Sequence, residues 1–302
     1  ARYLYAHRDL PGQDNWKQPS WREMWRIAFH MYSSHLITLT YSPQVFVFLV
    51  QRYLGVEATA LFGFLRSLYE QISRYLPATL LFSLIRPKLV ASYVAAKDMA
   101  ELTRNANLAG KASLFVLMPI LIFAGLAGDE LLSLLSGGKF TQTGYYLAGL
   151  LLGLIPNSQR QILGTLVVIC DRSYISLWGS TFSILVLPLA FGLLEADMGL
   201  WSFIIAIIMS HMIHNTVLIV ALLKTTTCRP DSIGFIKLAV AALIGFAVSQ
   251  QFVVAIHGWL DLLIVAMLAC GFYLLTAYFI KPFREEERMR LNRLLSRKIF
   301  VW

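Results

Sequence analysis

The feature that most constrains this chain is a succession of apolar runs about twenty residues long, separated by short polar turns. Coiled at about 1.5 Å per residue, such a run matches the hydrocarbon thickness of a bilayer. With 57% hydrophobic and 14% charged residues, the chain departs from the composition of an ordinary soluble domain. It reads as an all-α polytopic membrane protein with about eight spans, near residues 30–50, 58–85, 112–128, 144–170, 173–194, 201–223, 234–256 and 260–280. Pro43 interrupts the first, Pro156 the fourth and Pro188 the fifth.

The net charge of +9 would also suit nucleic acid, but no nucleic-acid-binding motif is present, and Lys and Arg cluster between the spans. One side receives the N-terminal segment, the 86–111 connection, Arg172, the Lys224/Arg229/Lys237 loop and the tail. The other receives little beyond Arg52 and Lys139. By the positive-inside rule both termini are expected in the cytoplasm, with an even number of spans in the cytoplasmic (inner) membrane. Residues 1–29 read as a cytoplasmic linker and an interfacial amphipathic helix, where Trp16, Trp21 and Trp25 alternate with Lys17, Arg22 and Arg26. Residues 30–223 read as a six-helix lobe, 224–280 as two trailing spans and 281–302 as a basic cytoplasmic tail. A chain that begins at Ala1, without a signal-peptide pattern, is expected to be a fragment, a processed chain or a split half.

Charge inside an apolar run is the main functional clue. Arg66, Glu70 and Arg74 lie four apart, so on a helix they stack along one face with Tyr69 and Ser73. An arginine at that depth costs at least about 2.5–3.5 kcal/mol and ordinarily faces a bundle interior or a watery cavity. Two cations against one anion leave a positive charge over; the alternative is a structural ladder tying the helix to a neighbour. Asn157, Gln159 and Arg160 sit inside the fourth span, and His211, His214 and Asn215 inside the sixth. The two histidines have a zinc-compatible spacing but lack a third ligand, so a polar patch is expected and no metal or cofactor. Neither HExxH, a P-loop, GxSxG nor a paired general acid and base is visible, so the chain reads as no enzyme. Cys170, Cys228 and Cys270 are odd in number and widely spaced, and read as small packing residues.

Three short stretches carry a resemblance. Gln51 to Ala58, with Leu54-Gly55 followed by Ala58, resembles the outer turn after the first helix of a lobe in polysaccharide-exporting flippases of the MOP superfamily. Leu134-Leu135-Ser136-Gly137-Gly138-Lys139-Phe140 is similar to that family's turn after its ninth helix, and Asp197-Met198-Gly199-Leu200-Trp201 to the entry into its twelfth. The resemblance implies the second six-helix lobe plus two trailing helices of a fourteen-helix transporter, with a missing N-terminal lobe as partner. It also implies alternating-access movement of a polyprenyl-pyrophosphate-linked oligosaccharide among membrane lipids, in polysaccharide biosynthesis. Relatives that couple to sodium use carboxylates and amides; the corresponding spans here offer Asn215 but no carboxylate. The residues expected to meet cargo are Arg66, Tyr69, Glu70, Arg74, Asn157, Gln159, Arg160, His211 and Asn215, because guanidinium groups grip phosphate oxygens in fork geometry. The alternatives are a membrane-embedded glycan polymerase or ligase, which would need a longer outer loop, and a MATE-like exporter, which would need an acidic cavity.

Overall fold

A computed structural model describes residues 20–80, 99–253 and 256–294. Ser20 opens the first helix, α1 (Trp21–Thr40), by accepting the Glu23 N–H on its hydroxyl. The interfacial segment and the first span are therefore one continuous helix from Trp21 onward, and no break falls at residue 29. Tyr41 and Ser42 interrupt it, and Pro43 restarts it as α2 (Pro43–Tyr75), in the first turn where a missing N–H forfeits no helical bond.

Gly55 divides α2 in two with φ 87° and ψ −175°, a conformation that a side chain would strain. The two pieces run in opposite directions. Tyr41 lies by Ser180 and Tyr53 by Phe191, so the first piece rises beside the 174–195 segment. Phe64 then meets Phe140, and Tyr69 lies beside Gly153, so the second piece returns beside 140–153. It stops at Leu76, short of the expected residue 85, because Pro77 holds Leu76 in an extended conformation. A short α3 (Pro77–Leu80) follows. Arg86, Lys88 and Lys97 of the expected basic connection lie outside the described residues.

The centre of the bundle is α4 (Met99–Ser136), which packs against α5 (Gly144–Leu152), α6 (Leu154–Ile169), α10 (Ser232–Gln250) and α11 (Trp259–Ile280). The second hub is α9 (Trp201–Thr225), against α6, α7 (Tyr174–Ser183) and α8 (Val186–Glu195). Helix α1 leans on α7. Helix α12 (Glu285–Leu294) folds back onto α4, where Arg290 donates to Asn105 and Arg104 to Glu286. The contacts Arg26–Asp171, Asn107–Arg229 and Lys111–Asp231 gather at this same end of the bundle, called here the tail end.

Among the described residues, six stretches are long and apolar enough to cross a membrane, where about eight spans were expected. The difference has two sources. Trp21–Tyr75 counts once, although Gly55 folds it back on itself, and α5–α6 falls outside the six, its second half carrying Asn157, Gln159 and Arg160. Large apolar side chains such as Leu243, Leu260 and Phe279 point outward, as they do when lipid is the solvent. The chain is an all-helical, multi-pass membrane protein.

Candidate functional site

Helix α6 begins where Gly153 breaks it from α5, and Pro156 falls in its first turn. The Asn215 amide on α9 donates to the Pro156 carbonyl at 2.7 Å, pinning this break to α9. From there α6 presents Asn157, Arg160, Gln161, Gly164, Thr165 and Val168 to a cavity of about 500 Å³. Helix α1 supplies Met31, Ser34, His35 and Thr38, and Ser176 and His214 complete the wall. Arg160 lies ten residues before Cys170, about 15 Å along the axis from the tail end of α6. That is about half the thickness of a hydrocarbon core.

Neutral groups hold the Arg160 guanidinium, with Tyr41 beside it. Its Nη2 donates to Thr38 Oγ1 at 3.3 Å, and its Nη1 donates to His211 Nδ1 at 3.3 Å, which assigns the remaining ring proton of neutral His211 to Nε2. Among the described residues no carboxylate pairs with it. The cavity lining is likewise free of Asp and Glu. Both bonds are long for a charged donor, so they position the group without neutralising it.

A polar seam between α1 and α7 steadies Thr38. Ser34 Oγ lies 2.7 Å from Ser180 Oγ and donates to the Ser176 carbonyl, and Tyr41 OH donates to the Ser180 carbonyl. His214 is 2% exposed and its Nδ1 has no hydrogen-bond partner among the described residues. It fits because position 179 is glycine: a Cβ there would stand 3.0 Å from His214 Nδ1 and 2.8 Å from Leu218.

The expected site residues separate into two groups. Asn157, Arg160 and His211 come together at the cavity, and the buried Tyr69 lies beside Asn157 and within electrostatic reach of Arg160. The others stand elsewhere. Arg66 pairs with Glu70 of its own helix at 2.8 Å, so the leftover charge expected on that face does not come from Arg66. Arg74 is exposed in the last turn of α2 and lines none of the described cavities. Gln159 turns to α4, where its amide donates to the Gly110 carbonyl, and Asn215 serves the helix break.

The chain matches no protein-family model, no characterised protein and no solved structure. What remains is its own geometry: a cation with no carboxylate partner among the described residues, in a polar cavity at mid-depth.

Sequence reading passed over Ser34, His35, Thr38, Gln161, Thr165 and Ser176. One signal was available: Ser34, Thr38 and Tyr41 on α1, and Ser173, Ser176, Ser180 and Ser183 on α7, recur at three- and four-residue spacing. Small polar stripes of that kind mark helix–helix contacts in membranes.

Proposed function

We propose that this chain is part of a flippase that moves a polyprenyl-pyrophosphate-linked oligosaccharide across the cytoplasmic membrane by alternating access. The observation that carries the reading is Arg160, held at mid-depth beside a cavity of about 500 Å³ with no carboxylate partner among the described residues. A guanidinium at that depth is costly and is retained where it faces a wet passage or a counter-charge. A diphosphate supplies that charge and the paired acceptor oxygens that match the guanidinium fork. Asn157, Gln161, Thr165 and Ser34 offer neutral hydrogen bonds suited to sugar hydroxyls or phosphate oxygens. The cavity volume falls in the range of about 300–1,000 Å³ usual for ligand sites.

In this reading the lipid tail stays in the bilayer while the headgroup enters between helices. A second helical lobe, the partner implied by the resemblance to MOP exporters, completes the path. The broken helices α2 and α5–α6 suit a structure that rocks, because carbonyls freed at breaks are re-satisfied by neighbours such as Asn215.

Arg160→Ala in the complete export system is expected to abolish surface polysaccharide with membrane insertion unchanged, and Arg160→Lys to restore part of it. Arg74→Ala is expected to leave export intact. Normal export by Arg160→Ala at unchanged protein level would remove the proposal.

A further inference from the structure

At the tail end, between α1 and the α6–α7 turn, lies a second polar cavity of about 380 Å³. Arg26 and His30 line it from α1, and Asp171, Arg172, Ser173 and Tyr174 from the turn. It follows the mid-depth cavity along the same three helices. Helix α1 gives Met31 to the mid-depth cavity and His30 to this one; α6 gives Val168 and then its C-cap, Cys170; α7 gives Ser176 and then Tyr174. Trp25 precedes Arg26, and Trp178 stands one turn beyond Tyr174; both indoles are exposed, as they are at the headgroup level of a membrane protein.

Two guanidinium groups meet one carboxylate here. Arg26 reaches both oxygens of Asp171 with a single nitrogen, Nη2, at 2.8 and 3.1 Å. Its Nε and Nη1 have no hydrogen-bond partner among the described residues, and remain as donors. Arg172 is half-buried and donates from Nη1 to the Tyr174 hydroxyl at 3.3 Å, which leaves the tyrosine proton to donate in turn. Among the described residues no carboxylate pairs with Arg172, whereas Arg104, Lys111 and Arg284 at the same end each meet one. His30 Nδ1 lies 3.0 Å from the hydroxyl of buried Ser173, which fixes α1 against the start of α7. The cavity is thus preformed, rich in donors and one positive charge in excess.

We propose that this cavity binds the phosphate of an anionic phospholipid headgroup, gripped by Arg172 and by the free edge of Arg26. A phosphodiester carries one negative charge, which matches the excess, and its two unesterified oxygens suit the guanidinium fork. Basic pockets between transmembrane helices at a membrane face take anionic headgroups for this reason. Depth selects a lipid over a soluble phosphate: the cavity lies level with exposed indoles, so acyl chains can run along the outward apolar face of α1 while the headgroup sits inside. Bound there, the phosphate would clamp α1 to the α6–α7 turn, two of the walls of the Arg160 cavity. The site stands whether or not Arg160 meets a diphosphate, because it uses different residues.

The test is native mass spectrometry of the full chain in detergent, titrated with phosphatidylglycerol or with phosphatidylcholine of the same acyl chains. The wild type is expected to prefer phosphatidylglycerol by about fivefold or more, the effect of one basic residue at a membrane surface. Arg172→Gln is expected to remove that preference, and Arg172→Lys to keep part of it. Asp171→Asn, which removes the competing anion, is expected to tighten phosphatidylglycerol binding. Phosphatidylglycerol with a photoactivatable headgroup, crosslinked to the unmodified chain and mapped by peptide mass, reads the site even if a variant fails to fold; crosslinks are expected at residues 26–30 and 170–174. Excess inorganic phosphate or farnesyl diphosphate is expected not to displace the lipid. Displacement by either would give the site to a free phosphate or to the cargo and overturn the lipid. Equal binding of the two lipids, crosslinks only elsewhere, or a preference that survives Arg172→Gln would overturn it as well.

Discussion

Lys111 and Arg160 carry the same charge in the same bundle and are treated in opposite ways. Lys111, on α4, is wholly buried, and its ammonium meets Asp231 at 2.7 Å and Glu287, with the Phe283 ring 5.7 Å away. Asp231 caps α10 and Glu287 belongs to α12, so one cation ties three segments together. Arg160 has neutral acceptors at 3.3 Å and an open cavity. Where neighbours neutralise a buried charge it serves architecture. Where they hold it without neutralising it, the charge is left for something that arrives.

This contrast can be broken most readily at Lys111. Lys111→Met leaves Glu287 without its ammonium and Asp231 with only the more distant Arg284, and is expected to destabilise the fold by about 3–5 kcal/mol, read by thermal unfolding in detergent. The triple change Lys111→Met, Asp231→Asn and Glu287→Gln should recover much of that loss. A neutral Lys111→Met would mean that the tail end is not held by this cluster. Next in size, Gly179→Ala brings a methyl group against His214 and Leu218 and is expected to cost about 1–3 kcal/mol by overpacking.

Acid should separate the two regions as well. Burial alone would raise the Asp231 pKa, but Lys111, the Gly234 N–H and Arg284 outweigh it and hold the carboxyl below its ordinary value. A carboxyl depressed in the folded state contributes stability that is present above its unfolded pKa of about 4 and is lost as pH falls through the folded value. Thermal stability should therefore decline below about pH 4, with a flatter profile in Asp231→Asn. Smallest of all, Arg66→Ala removes an i,i+4 pair with Glu70 and is expected to change stability by about 0.3–0.5 kcal/mol. A large loss there would restore a role for the α2 face that the ion pair now satisfies.

The helices themselves were legible because bilayer-length apolar runs leave few other options. Arg160 was legible too, as a charge within an apolar span. Sequence could not tell which cation stays unpaired. Helical spacing put Arg66 and Arg74 on a promising face, but Glu70 satisfies the first from within the helix and the second turns outward. Lys111 read as one of several connection cations; it is buried because Asp231 and Glu287 arrive from far along the chain. Thr38 escaped notice for the same reason, since its partners Ser180 and Arg160 come from other helices.

The most direct measurement is equilibrium binding of farnesyl diphosphate, with farnesol as the uncharged control, to the full chain in lipid nanodiscs. The account predicts that Arg160→Ala weakens diphosphate binding at least about tenfold, the loss of a charge-assisted hydrogen bond, with unfolding stability within about 1 kcal/mol of wild type. Farnesol binding should not change. Equal diphosphate affinity in wild type and Arg160→Ala, or an affinity no greater than that for farnesol, would contradict it.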